Sequence, residues 1–243
     1  MTHAHEQESY PRQRARTRAF RLGAPRSFTP SGDGRRVLFL RSRGGTDPLT
    51  CLWSLDLDSG VEECRADPAE LLAGDESLPP EEQARRERLR EVSGGITDYS
   101  IDRDARVAVF ALSGQPYAVN LDGPSAPRLL DAPGPVIDPR VDPTGTKVAY
   151  VCDRGLFVVP LVGGHAAAMC RPEHDDDAWG LADFIAAEEL DRTRGYWWLS
   201  DGSGLLVEHY DETPVSTWWI ADPAQPGSAP REHRYPAAGT ANA

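Results

Sequence analysis

Short apolar runs, separated by polar turns rich in Asp, Gly and Pro, recur along this chain in one order. A turn carrying Gly or Asp leads into an apolar run, a second apolar run follows, and a polar turn closes the unit. In the first copy the runs are Val37–Leu40 and Cys51–Leu57, opened by Asp33-Gly34 and closed by Asp58-Ser59-Gly60. In the second they are Val107–Leu112 and Tyr117–Leu121, opened by the stretch from Tyr99 and closed by Asp122-Gly123. The third has Val148–Val151 and Gly155–Leu161 between Gly145 and Gly163-Gly164. The fourth has Leu205–Val207 and Thr217–Ala221, opened by Tyr196–Gly202 and closed by Asp222-Pro223.

Runs this short, β-rich and bounded by turn residues, predict strands in antiparallel meanders. Val107 and Val148 are 41 residues apart, close to the roughly 40–45 of a four-stranded propeller blade. The Val37–Val107 and Val148–Val207 spacings are 70 and 59 residues, so each holds an insert. A meander of this kind buries a face only by stacking on its neighbour. The expected fold class is therefore all-β, a partial β-propeller of about four blades with two helical inserts. A β-sandwich is the alternative, but it requires no repeated unit.

The first insert, about residues 79–92, reads as a helix. Pro79 or Pro80 suits its first turn, Glu81 and Glu82 its positive end, and Arg85, Arg86, Arg88 and Arg90 its negative end. Gly94 or Gly95 can stop it. It lacks an apolar stripe and is expected to be a solvated surface helix, or one that presents arginine to a carbonyl-rich or anionic ligand. The second insert, about 180–192, carries Leu181, Phe184 and Ile185 on one side of a short helix. Glu188 and Glu189 follow. Neighbours on a helix point roughly 100° apart, yet both can reach one ammonium, which offers three donors.

Composition narrows the classes. The chain has 243 residues, with 26 Lys+Arg against 38 Asp+Glu and a net charge of −12. A general nucleic-acid binder needs the opposite excess. No run approaches the roughly 18 apolar residues of a membrane span, and the polar start lacks a secretory apolar stretch. Cys51, Cys64, Cys152 and Cys170 form no CxxC. They read as reduced thiols of a cytoplasmic protein. Cys170 with His165 and His174 lacks the close pairing of a structural zinc site, so no metal or cofactor is expected. Residues 1–19, with Arg12, Arg14, Arg16 and Arg18, are expected to be a solvated, partly disordered leader. The acidic run Glu173–Asp177 is expected to be a solvated loop rather than a regulatory metal site.

The string Phe184-Ile-Ala-Ala-Glu188-Glu189-Leu-Asp-Arg192-Thr-Arg-Gly195-Tyr196-Trp197-Trp198 resembles the double-glutamate segment of the dipeptidyl peptidase IV family, in particular its cytosolic branch and bacterial relatives. Arg86–Tyr99 resembles that branch's arginine-bearing helix and the strand after it, and Leu205–Val215 resembles the continuation beyond the Trp-Trp strand. The similarity runs from about Phe20 to Ala243. It implies a serine exopeptidase that removes Xaa-Pro or Xaa-Ala dipeptides, with an eight-bladed propeller capping an α/β-hydrolase domain. It also implies that Glu188 and Glu189 bind the substrate's α-amine. Arg90, with Arg88 in reserve, is implied to bind a substrate carbonyl. The nucleophile motif G-x-S-x-G is absent from this sequence, so no catalytic residue is assigned. The chain is expected to be the N-terminal part of a longer enzyme, inactive alone, and its open strand edges a liability for aggregation. The expected partners are peptides with a free N-terminus, the downstream hydrolase domain and a second copy of the full enzyme, with neither nucleic acid nor membrane. A stand-alone propeller-like binding or scaffold module is the competing function.

Overall fold

The computed structural model describes residues 8–72, 74, 76–88, 90–91 and 93–243, without the side chains of Pro80 and Glu81. The first seven residues of the leader, and Asp75, Leu89 and Val92 of the first insert, lie outside the described residues. Helix α1 (Tyr10–Arg16) lies in the leader expected to be solvated and partly disordered, and it buries none of its residues. Pro11 suits its first turn, Arg14 and Arg16 its last, and Glu8 pairs with Arg16 at 2.6 Å.

Three four-stranded antiparallel sheets follow in chain order. The first has β1 (Arg26–Pro30), β2 (Arg36–Ser42), β3 (Leu49–Asp56) and β4 (Glu62–Ala66). Helices α2 (Pro68–Leu71) and α3 (Pro80–Arg88) come next, then β5 (Gly94–Gly95), which adds in parallel to the start of β3. The second sheet has β6 (Ser100–Ile101), β7 (Val107–Leu112), β8 (Gln115–Asn120) and β9 (Arg128–Leu129). The third has β10 (Ile137–Val141), β11 (Lys147–Cys152), β12 (Gly155–Pro160) and β13 (Ala167–Cys170).

The recurring turn has a common chemistry. A polar residue before the first long strand accepts backbone N–H groups across the turn. Ser31 Oγ takes that of Arg36 at 3.0 Å. Asp102 Oδ1 takes those of Arg106 and Val107 at 2.7 and 2.8 Å. Asp142 Oδ1 takes those of Thr146 and Lys147, both at 2.7 Å.

Alternate residues of each strand point to opposite faces, and the blades stack on that alternation. Ala108, Phe110 and Leu112 of β7 join Leu38, Leu40 and Leu52 of the first blade, while Val109 joins Val148 and Tyr150 of the third. Ala149 and Val151 of β11 face the other way, onto Tyr196. Two tyrosines tie blades together. The Tyr99 hydroxyl lies 2.6 Å from the Ser27 carbonyl and 2.9 Å from that of Leu38. Tyr196 does the same one blade pair later, meeting the carbonyls of Asp138 and Ala149.

The fourth repeat departs from a single meander. It contains β14 (Asp177–Trp179), α4 (Phe184–Glu189), β15 (Tyr196–Trp198), β16 (Leu205–Val207), β17 (His209–Asp211), β18 (Thr217–Ile220) and β19 (Arg231–Arg234). These strands pair only as β15–β16, β14–β17 and β18–β19. Glu208 is the pivot. Its N–H bonds to the Gly195 carbonyl at 2.7 Å and its carbonyl accepts from Gly180 at 2.9 Å, which carries the chain from β15 across to β14. The fold is thus an all-β, partial propeller with helical inserts. No helix among the described residues is long and apolar enough to cross a membrane.

Candidate functional site

Helix α3 is not the solvated helix that its charge run suggested. Glu82 and Arg86 are buried because they are paired. Arg86 Nε meets Glu82 Oε1 at 2.8 Å and its Nη2 meets Glu76 at 2.8 Å. Glu76 also accepts the Gly95 N–H at 2.9 Å, and Arg85 holds the same Glu82 at 2.7 Å. Buried pairs of this kind add little net stability but fix orientation when both partners are present. They anchor α3 with its far end, Arg88, free to reach outward.

Helix α4 is short and held by its ends. Asp183 caps it by accepting the Ala186 N–H at 3.2 Å. Asp191, at φ 52°, takes the left-handed conformation that ends it. Arg192 then clamps the turn, with its N–H 3.0 Å from the Ala186 carbonyl and its guanidinium on Asp183 at 3.2 Å and Glu208 at 2.9 Å. Gly195 is obligatory, since a Cβ there would stand 2.2 Å from the Leu181 carbonyl oxygen. Tyr196 anchors to the third blade as described, and Trp198 Nε1 donates to the Arg140 carbonyl at 3.0 Å.

Most of the string around the double glutamate is therefore architecture, but the glutamates are not. Both are exposed on the last turn of α4. Among the described residues the Glu189 carboxylate has no hydrogen bond or ion pair, and Glu188 has one partner, Arg88, at 3.4 Å. The Arg88 guanidinium also lies 5.9 Å from the centroid of the Phe184 ring. On its other side Phe184 meets Tyr235 edge-on at 5.2 Å, and Tyr235 meets Trp218 at 5.7 Å. Arg90 sits just past α3, exposed and at φ 51°, and its side chain contacts neither glutamate. The structure thus joins Arg88, Glu188 and Phe184 and leaves Arg90 apart.

Between α3 and α4 lies a cavity of about 470 Å³. Ala84, Arg85 and Arg88 form one wall, and Phe184 and Ala187 the opposite one. Ile137, Asp138 and Arg194 also line it, with Tyr210 and Glu212 of the β14–β17 ribbon. Burial raises the Asp138 carboxyl above its ordinary value despite Arg140 at 2.5 Å, and burial pushes the Tyr210 hydroxyl up to about 12. The ribbon is clasped by Arg154 on Glu212 at 2.8 Å and Arg234 on Asp176 at 2.6 Å. Of the run Glu173–Asp177, expected to be a solvated loop, Glu173, His174 and Asp175 are exposed, while Asp176 and Asp177 join this clasp. Asp177 is buried and bonded to His209 at 2.5 Å.

The family description "Dipeptidyl peptidase IV (DPP IV) N-terminal region" matches residues 107–243, more than half of the chain, including α4 and both glutamates. The chain belongs to the dipeptidyl peptidase IV family. Among curated relatives, human dipeptidyl peptidase 8 is 27% identical over 188 residues, which covers 67% of this chain and 21% of the relative. The mouse dipeptidyl peptidase 8 gives the same figures. The chain thus spans about a fifth of the length of these dipeptidyl peptidases. Helix α3 lies upstream of the matched family region, so its placement opposite α4 comes from the structure.

Sequence reasoning did not single out Arg194 or the Phe184–Tyr235–Trp218 stack. Both depend on contacts across the fold that no local spacing announces. Nor did it single out the Glu82–Arg86 pair, whose residues share a helix face four apart but are buried only with Glu76.

Proposed function

We propose that this chain is the substrate-selecting propeller portion of a serine dipeptidyl peptidase, and that Glu188 and Glu189 anchor the α-amine of its peptide substrates. The single observation behind this is a contrast. Asp183, Arg192, Gly195, Tyr196 and Trp198 are all engaged in holding the turn, whereas the adjacent carboxylates of Glu188 and Glu189 are exposed, directly after the cavity-lining Ala187, with almost no internal duty.

An ammonium there makes charge-assisted bonds to both carboxylates. Arg88 already stands at Glu188. Once the amine takes that carboxylate, the guanidinium is free to donate to the carbonyl of the first residue, for which its fixed fork is suited. Arg90 has the same chemistry but not the same position. Anchoring the amine also sets where the chain is cut, since two extended residues span about 7 Å. A nucleophile at that distance releases dipeptides. The proposed products are Xaa-Pro and Xaa-Ala dipeptides, and the nucleophile belongs to a hydrolase domain outside this sequence. A homodimer and a cytoplasmic location complete the proposal; the free thiols of Cys51, Cys64 and Cys170 are in keeping with a reducing compartment.

The test is a pair of substrates for the full-length protein that carries this chain. It should hydrolyse Ala-Pro chromogenic amide and leave N-acetyl-Ala-Pro amide untouched. Equal hydrolysis of both would remove the amine anchor.

A further inference from the structure

The first strands of the repeats, β1, β6, β10 and β15, each lie at an edge of their sheet. In a propeller such strands border the central channel. Here Thr29 of β1, Ser100 of β6, Arg140 of β10 and Tyr196 of β15 line one cavity of about 410 Å³. It is separate from the α3–α4 cavity, although Arg194 lines both.

The charge of this second cavity is one-sided. Among the described residues Arg103, Arg140 and Arg194 line it, and no Asp, Glu or His does. That is the reverse of the chain as a whole, where 38 Asp+Glu outnumber 26 Lys+Arg. Arg140 is neutralised by Asp98 at 2.8 Å and Asp138 at 2.5 Å, neither of which lines the cavity. The other two arginines are not neutralised. Arg103 donates to the Ser200 carbonyl, and the Arg194 guanidinium has no hydrogen bond. Neither forms an ion pair among the described residues. Tyr99, Trp197 and Trp198 complete the wall. A cleft lined by one sign of charge, with low-dielectric walls, focuses its field on the opposite sign.

We infer that this cavity binds a small, multiply charged oxyanion, a phosphate ester or a di- or tricarboxylate, held between Arg103 and Arg194. The guanidinium fork donates two parallel bonds to either kind of oxygen pair. One charge on the ligand answers each free arginine. Arg103 belongs to the turn before β7 and Arg194 to the turn before β15, so the anion links the second repeat to the fourth. The site is independent of the amine anchor, which lies on α4.

The test is calorimetric titration of the full-length protein with pyrophosphate and, separately, with citrate, in the wild type, Arg103→Met, Arg194→Met and the double variant. Ionic strength is matched with NaCl, because such contacts are screened by salt. The wild type should bind at least one probe with a saturable, one-to-one isotherm. Each single variant should weaken that binding about tenfold, and the double variant should abolish it. Binding of pyrophosphate alone assigns the site to phosphate esters; binding of citrate alone assigns it to carboxylates. The bound anion should also raise the thermal midpoint of the wild type but not of the double variant, whereas general stabilisation by such salts acts on both alike. A dissociation constant refers to folded molecules, so it remains decisive where a variant lowers the midpoint. No saturable binding of either probe to the wild type, or an unchanged dissociation constant in the double variant, would overturn the site.

Discussion

The Arg88 guanidinium stands 3.4 Å from the Glu188 carboxylate and joins helices from the two inserts, which flank different blades of the propeller. Both side chains are substantially exposed, 45% and 36%. Exposed pairs contribute about 0–1 kcal/mol, so the contact does little for folding. Arg88→Met should therefore leave the thermal midpoint of the full-length protein nearly unchanged while raising KM for Ala-Pro amide. Arg90→Met should have the smaller effect on KM. Steady-state kinetics of the two variants side by side check this, and a larger effect at Arg90 would assign the carbonyl donor to that residue.

Gly195→Ala should be severely destabilising. The added methyl would stand 2.2 Å from a backbone oxygen and 2.4 Å from the carbon that bears it, and backbone yields less readily than a side-chain tip. A cost of about 3 kcal/mol or more is expected from overpacking against the main chain. The urea midpoint is the readout.

Tyr196→Phe removes the hydroxyl that meets the carbonyls of Asp138 and Ala149 in a buried site. Leaving buried acceptors without their donor costs about 1–3 kcal/mol. Tyr99→Phe should cost a comparable amount, because its hydroxyl bridges the first blade in the same way. A negligible loss in both variants, measured by denaturant unfolding, would contradict the tyrosine ties.

Acid sensitivity should trace in part to Asp142. Burial works against its ionisation, but the Thr144 hydroxyl and the N–H groups of Lys147, Thr146 and Thr144 outweigh it and hold the carboxyl below its usual value. A depressed folded-state pKa gives stability that is present above the unfolded value of about 3.9 and is lost as pH falls through the lower folded value. Asp142→Asn should be less stable at neutral pH and lose less stability below pH ~4 than the wild type. Parallel pH–stability curves would refute this.

The blades were legible because the turn chemistry is local. Asp102 and Asp142 sit a few residues before the N–H groups they accept, so the spacing itself carries the structure. The inserts were legible in their helices but not in their surroundings. A run of Glu and Arg reads as solvated, yet Glu82 and Arg86 are buried through their partner Glu76 and through the parallel strand β5. The fourth blade was hidden for a similar reason. Its apolar runs match the repeat, but Glu208 redirects the chain through backbone bonds to Gly180 and Gly195 that leave no mark on the hydrophobic pattern. Glu188 and Glu189 were found through resemblance to the family, and nothing in their spacing alone distinguishes them from a solvated surface.

The central claim is the amine anchor, and the double variant Glu188→Gln/Glu189→Gln of the full-length protein tests it most directly. A charge-assisted bond lost at each site predicts a rise in KM for Ala-Pro amide of about tenfold or more per glutamate. The thermal midpoint should be retained, since Glu189 has no partner among the described residues and Glu188 only an exposed one. Wild-type kinetics in this variant would contradict the account.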